Sequence, residues 1–322
     1  MPRAADSEEQ DSGPAGPPSN AEIRARVAYE SERRGRLSVP AIAGGVLFLL
    51  GGIIVTSSLH GFPTVGVIQG LAPALRGEAH PAVSPSVAEL RFLNHHAFGF
   101  IAGNTLQALA VVLLIAILLF LLGVVRFRRP ETSSVARPLV LWGGAVLALA
   151  SLVKPIVQVV QAHNFLAGHD LTAEAAHRAL TQGAVLEGTE YLALVGGLAF
   201  AAGVIVVALG ATRTGIVARW TLYLGIFAAL LAFTPLGLAF ESVKGFVFAF
   251  WMVSLGLLLG GRWPGGDPPA WEAGEARPWP SQAQLRSERQ ATRAGGNGVV
   301  PEPVPPAPRE GTKRRRKRGS RR

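Results

Sequence analysis

Cysteine is absent from all 322 residues, which excludes disulfides, thiolate metal ligands and cysteine nucleophiles. Any metal or redox chemistry would have to come from histidine and carboxylates. Lysine occurs only at Lys154, Lys244, Lys313 and Lys317, so arginine supplies nearly all of the positive charge. Signatures of catalysis are missing as well: there is no P-loop, no Gly-x-Ser-x-Gly, no His-Glu-x-x-His and no internal repeat. Most telling is the lack of charge between His96 and Arg126. At about 1.5 Å of rise per residue, residues 97–125 outrun the roughly 30 Å hydrocarbon core of a bilayer and predict a transmembrane helix.

What is present agrees with that reading. The chain is 49% hydrophobic with a mean hydropathy of +0.33, and its apolar residues gather into long runs separated by polar stretches. Those runs predict an all-α, polytopic transmembrane bundle of six helices over residues 39–262, with spans at 40–59, 97–125, 138–160, 186–209, 216–234 and 243–261. Residues 1–19 and 263–322 are rich in Pro, Gly and charge and are expected to be disordered tails. Residues 20–38 predict a cytoplasmic juxtamembrane helix with Asn20 as its cap, Ile23 and Val27 on one face, Glu30 four residues before Arg34, and Gly35 as its stop. The first apolar run starts too far from the N-terminus for a cleavable signal peptide and is expected to remain as an anchor. Residues 60–96 form a polar connection whose last part is expected to run straight into the second span. A surface helix is predicted at 171–182, and spans five and six form a tight hairpin.

Basic residues near spans stay on the cytoplasmic side. Of the 31 Lys and Arg residues, 26 fall in 1–38, 125–137, 210–219 and 262–322, which predicts both termini in the cytoplasm and a location in the cytoplasmic membrane. Trp142, Trp220 and Trp263 fall where an inner interfacial belt would lie. The last ten residues carry eight cations, a block expected to contact anionic lipid. Nucleic acid is the weaker alternative, because no aromatic-laced RNA-binding module accompanies the block.

All seven histidines lie in the outer connections or at their junctions with the spans, but their spacings match no metal signature, so no cofactor is expected. Polar residues inside the spans are more informative, since each costs free energy unless partnered. Asn104 and Gln107 share a face of span two. Lys154, Gln158 and Gln161 form a stripe on span three, with Lys154 about 24 Å from Pro138 and so within reach of the outer surface. Glu190 or Glu187 is its expected partner. Together Asn104, Gln107, Lys154, Gln158, Glu187 and Glu190 predict an outward-opening polar pocket for a small or lipidic ligand, against the simpler reading of interhelical hydrogen bonds that fix packing. Gly99/Gly103 and Gly256/Gly260 give two G-x-x-x-G pairs, which packing inside the bundle explains and homo-oligomerisation would also use.

The six spans followed by Trp263-Pro264, Pro268-Pro269-Ala270-Trp271 and Arg277-Pro278-Trp279-Pro280 resemble, in layout, multi-pass membrane proteins of high-GC bacteria. The resemblance covers about residues 36–280 and brings no activity or site with it. The sequence thus predicts no catalysis. It favours a membrane protein that binds or transports a ligand, with a His-dependent metal or haem enzyme and a scaffold acting through its tails as alternatives.

Overall fold

The computed structural model describes residues 19–63, 76, 85–168, 172–181, 183–233, 238–264, 266–277 and 279, and beyond them residues 284, 286, 287, 290 and 291. The first 18 residues and the terminal basic block lie outside the described residues. All regular structure among the described residues is helical. Four helices there are long and apolar enough to cross a membrane, so the chain has the make-up of a membrane protein. Two units divide the chain, Met1–Trp279 and Pro280–Arg322. In the second, Ser287 Oγ donates to Gln284 O at 2.8 Å.

Helix α1 (Asn20–Ser58) joins the expected juxtamembrane helix and the first span without a break. Its cap is Ser19, one residue earlier than expected. The Ser19 hydroxyl accepts from Glu22 N–H at 3.3 Å, while the Glu22 carboxylate accepts from Ser19 N–H at 2.7 Å. Gly35 does not stop the helix, because one glycine costs only about 1 kcal/mol against the packing of a long element. Pro40 is also accommodated inside α1.

Helix α2 (Pro85–His95) is followed by α3 (Ala97–Arg128), but the two do not form the continuous rod expected from sequence. His96, at φ −102° and ψ 17°, sits outside helical geometry, and its ring stacks on Phe92 with centroids 4.1 Å apart. From that corner α2 turns aside and packs on α4 (Ala136–Ala167) and α5 (Ala173–Thr181), where Leu90, Leu93, Ala162 and Ala176 form a small separate core. The α4 helix starts with a π-helical turn at Leu139–Gly143 and carries Pro155 inside it.

Helix α6 (Ala184–Thr214) lies beside α4, and α7 (Arg219–Phe233) and α8 (Leu238–Leu259) complete the bundle. Contacts run from α8 to α1, α1 to α3, α3 to α4 and α6, α6 to α7, and α7 back to α8, a closed ring. The uncharged stretch of α3, residues 97–125, supplies much of the core, including Leu114, Ile117, Leu118 and Val125. Close approach depends on glycine. A Cβ on Gly51 would lie 2.5 Å from Gly103 O, and one on Gly103 would lie 2.7 Å from Gly51 O, so α1 and α3 touch backbone to backbone. Gly256 likewise meets Ile42 and Ser38 of α1, so both G-x-x-x-G pairs contribute to packing within the chain. Helix α7 has only 15 residues, about 22 Å, shorter than the span expected at 216–234.

The region from Trp263, expected to be unfolded, contains a packed segment. Residues 266–277 include a short helix, α9 (Pro269–Ala273), whose Trp271 is buried. Its C-terminal Gly274 has φ +68°, a left-handed conformation that suits glycine, and lies against Ile23 and Val27 of α1. Aromatic area too large to leave in water explains why so Pro- and Gly-rich a stretch is held down.

Candidate functional site

Lys154 on α4 and Glu190 on α6 meet with Nζ 3.0 Å from Oε1. The side chains are 37% and 55% exposed, so the pair sits at an accessible edge of the helix contact. Glu187, one turn before Glu190 in the first turn of α6, is exposed, and Gln158 is half-buried one turn beyond Lys154. Asn104 turns back on its own helix, its Nδ2 donating to Phe100 O at 2.8 Å. Gln107 lies against Gly51 and Gly52 of α1. Its amide makes no hydrogen bond among the described residues.

Gln107 also borders a central cavity of about 190 Å³ that none of the other five predicted pocket residues lines. Six helices contribute to its wall, α1 through Phe48, α3 through Val111 and Leu114 besides Gln107, α4 through Leu147 and Ser151, α6 through Phe200, α7 through Ala228, and α8 through Lys244, Phe248 and Trp251. Phe48 and Phe248 stack with centroids 4.0 Å apart, and Phe248 meets Trp251 edge-on at 6.0 Å. Ser151 donates to Leu147 O at 2.8 Å, leaving oxygen lone pairs as acceptors. The described lining therefore offers an amide, a hydroxyl oxygen and an ammonium group on an aromatic and aliphatic wall. Such a set can orient a small amphipathic molecule, but it contains no carboxylate or imidazole for acid-base chemistry. Ser151, one turn before Lys154, was readable as a polar residue in an apolar run; Lys244 stands out by charge.

A second cluster escaped sequence reasoning. Arg128, at the end of α3, places Nη1 2.8 Å from Glu30 Oε2, and the two side chains are 0% and 1% exposed. The other Glu30 oxygen takes Arg26 Nε at 3.0 Å. Arg128 Nη2 donates to Ala270 O at 3.0 Å, and its guanidinium lies 5.5 Å from the Trp271 ring centre. Arg34 covers the same ring at 5.2 Å and pairs with Asp267 at 2.7 Å. Trp271 Nε1 in turn donates to Ile216 O at 3.2 Å. This hub ties α1, α3 and α9 together. Its one signal in the sequence was Glu30, an acid with arginines on either side of it in the helix.

The described histidines do not converge. His95 and His96 rings are 5.0 Å apart, and among the described residues no three His, Asp or Glu side chains form a metal-binding group. His80 and His169 lie outside the described residues. On α2, burial pushes the Glu89 carboxyl above its ordinary 4.5, an effect that nearby His177 partly opposes.

No family model, curated protein or solved structure matches this chain, so its function is argued from its own geometry.

Proposed function

We propose that the chain is a six-span protein of the cytoplasmic membrane, with both termini in the cytoplasm, that holds a small amphipathic or lipidic ligand in the central cavity. Gln107 carries this reading. It is a half-buried amide on an apolar helix, without a hydrogen-bond partner among the described residues, and it faces a cavity. Leaving such a group unsatisfied costs about 1–3 kcal/mol, which a ligand carbonyl or hydroxyl would relieve.

Size limits the ligand. The volume of about 190 Å³ exceeds the ~150 Å³ cavity that accepts benzene and falls below the ~300 Å³ of ordinary drug-sized pockets. A small amphiphile, or the end of a longer lipid chain, fits that range. Asn104, Lys154, Gln158, Glu187 and Glu190 form the polar approach from the outer side. The arginine distribution supports the orientation, bilayer thinning accommodates the short α7, and the terminal cations contact anionic lipid.

The test is extraction and mass analysis of the small molecules and lipids that co-purify with full-length protein and with a Gln107→Leu variant. A species enriched with the wild type and reduced about fivefold or more in the variant, at an unlowered melting midpoint, is the expected result, since about 1 kcal/mol is at stake. Identical extracts from both would contradict the proposal.

A further inference from the structure

The end of the bundle that carries Arg128 also holds a groove of about 290 Å³ between the α3–α4 connection and the last turns of α6. Its lining is of two kinds. Arg129, Thr132 and Ser133 come from the connection and Arg213 from α6, while Val206, Leu209 and Gly210 supply an apolar strip. A Cβ on Gly210 would lie 2.8 Å from Val125 Cγ1, so a larger residue would push α6 away from α3 at the groove.

The connection is held in shape by its own bonds. Thr132 N–H and its hydroxyl both donate to Arg129 O, at 3.0 and 2.8 Å, and Arg126 Nη2 donates to Ser133 O at 3.3 Å. Charge is unbalanced within the groove. Arg129 has the mostly exposed Glu131 at 3.2 Å, whereas Arg213 forms no ion pair among the described residues. Two guanidiniums thus stand against one carboxylate. A guanidinium presents paired N–H donors that match the oxygens of a phosphate, and the Ser133 hydroxyl, which accepts from Val135 N–H at 3.3 Å and keeps its own hydrogen, lines the same groove.

We infer that this groove is a binding site for the phosphate group of an anionic phospholipid, whose acyl part runs along Val206 and Leu209. The apolar strip decides for lipid over free phosphate, which would gain nothing from it. The inference rests on the chain spanning a bilayer and is independent of the central cavity. The two proposals therefore fail separately.

Titration of the full-length protein with phosphatidylglycerol, phosphatidylcholine and inorganic phosphate, read by native mass spectrometry, tests it. The wild type should prefer phosphatidylglycerol to phosphatidylcholine. R213Q should weaken phosphatidylglycerol about fivefold, the ratio that about 1 kcal/mol per surface cation gives, and R213K, which keeps the charge without the paired donors, should restore only part of the affinity. Leu209→Gln, on the apolar strip, should weaken the lipid as well. R137Q, exposed near the same connection but outside the groove, should change nothing. Equal weakening by R137Q and R213Q would mean diffuse attraction and overturn the site. Inorganic phosphate that displaces the lipid at equal concentration would overturn the assignment to lipid.

Discussion

Arg128 and Glu30, separated by 98 residues, form an ion pair at 2.8 Å with both side chains shut off from solvent. Neither charge is tolerable there alone, so each fixes the position of the other's helix. Removing one partner from such a pair costs about 3–5 kcal/mol, because the survivor stays buried and unpaired. E30L and R128M should each lower the melting midpoint of the solubilised protein sharply, while the double variant E30L/R128M should recover most of the loss. A double variant as unstable as the sum of the two single ones would show that the pair is not coupled.

Trp271 holds residues 266–277 to the same hub through its buried ring and its bond to Ile216 O. Trp271→Ala should cost about 3–5 kcal/mol. Glu275, two residues before Arg277, whose backbone N–H donates to Thr214 O at 3.1 Å, should then become a fast site for endoproteinase Glu-C. Unchanged cleavage at Glu275 would mean that the segment is secured by something else.

Glycines separate by what surrounds them. Gly51→Val would drive a side chain into Gly103 O and should destabilise by about 1–3 kcal/mol or more. Gly123→Ala, with nothing within 4 Å of the new carbon, should stabilise by up to about 1 kcal/mol through helix propensity. A melting midpoint that did not fall in Gly51→Val would refute the close contact of α1 and α3.

Glu89 makes the packing of α2 sensitive to pH. Burial raises its carboxyl above 4.5, so the packed state favours the protonated form. That contribution is complete below 4.5 and is lost as pH climbs through the raised value. Amide protection of α2, corrected for intrinsic exchange, should therefore be greater at pH ~4 than at pH ~6, and Glu89→Gln should flatten the difference. Equal slopes in both proteins would remove Glu89 as the cause.

Much of this arrangement was legible in the sequence, because apolar runs and isolated charges are local signals. Residues 97–125 announced their helix by having no charge, and Lys154, a lone charge on its apolar stretch, pointed to Glu190 or Glu187, of which the fold pairs it with Glu190. The rest required folding. Gly35 looked like a stop only when the packing of α1 was left out, and His96 looked helical until Phe92 took its ring. The Arg128–Glu30 pair joins elements too far apart for any spacing rule, and Trp271 is anchored by four residues from three other parts of the chain. The central cavity has no signature of its own, since it exists only where six helices face one another.

The absence of cysteine makes the membrane arrangement directly testable, since every introduced thiol is unique. His60→Cys, Thr181→Cys and Ser134→Cys each place one at an exposed position. Treated with a membrane-impermeant maleimide, the first two should react in intact cells and Ser134→Cys only after permeabilisation. Labelling of Ser134→Cys in intact cells, or of all three to the same extent, would contradict the six-span arrangement and the outward approach to the cavity.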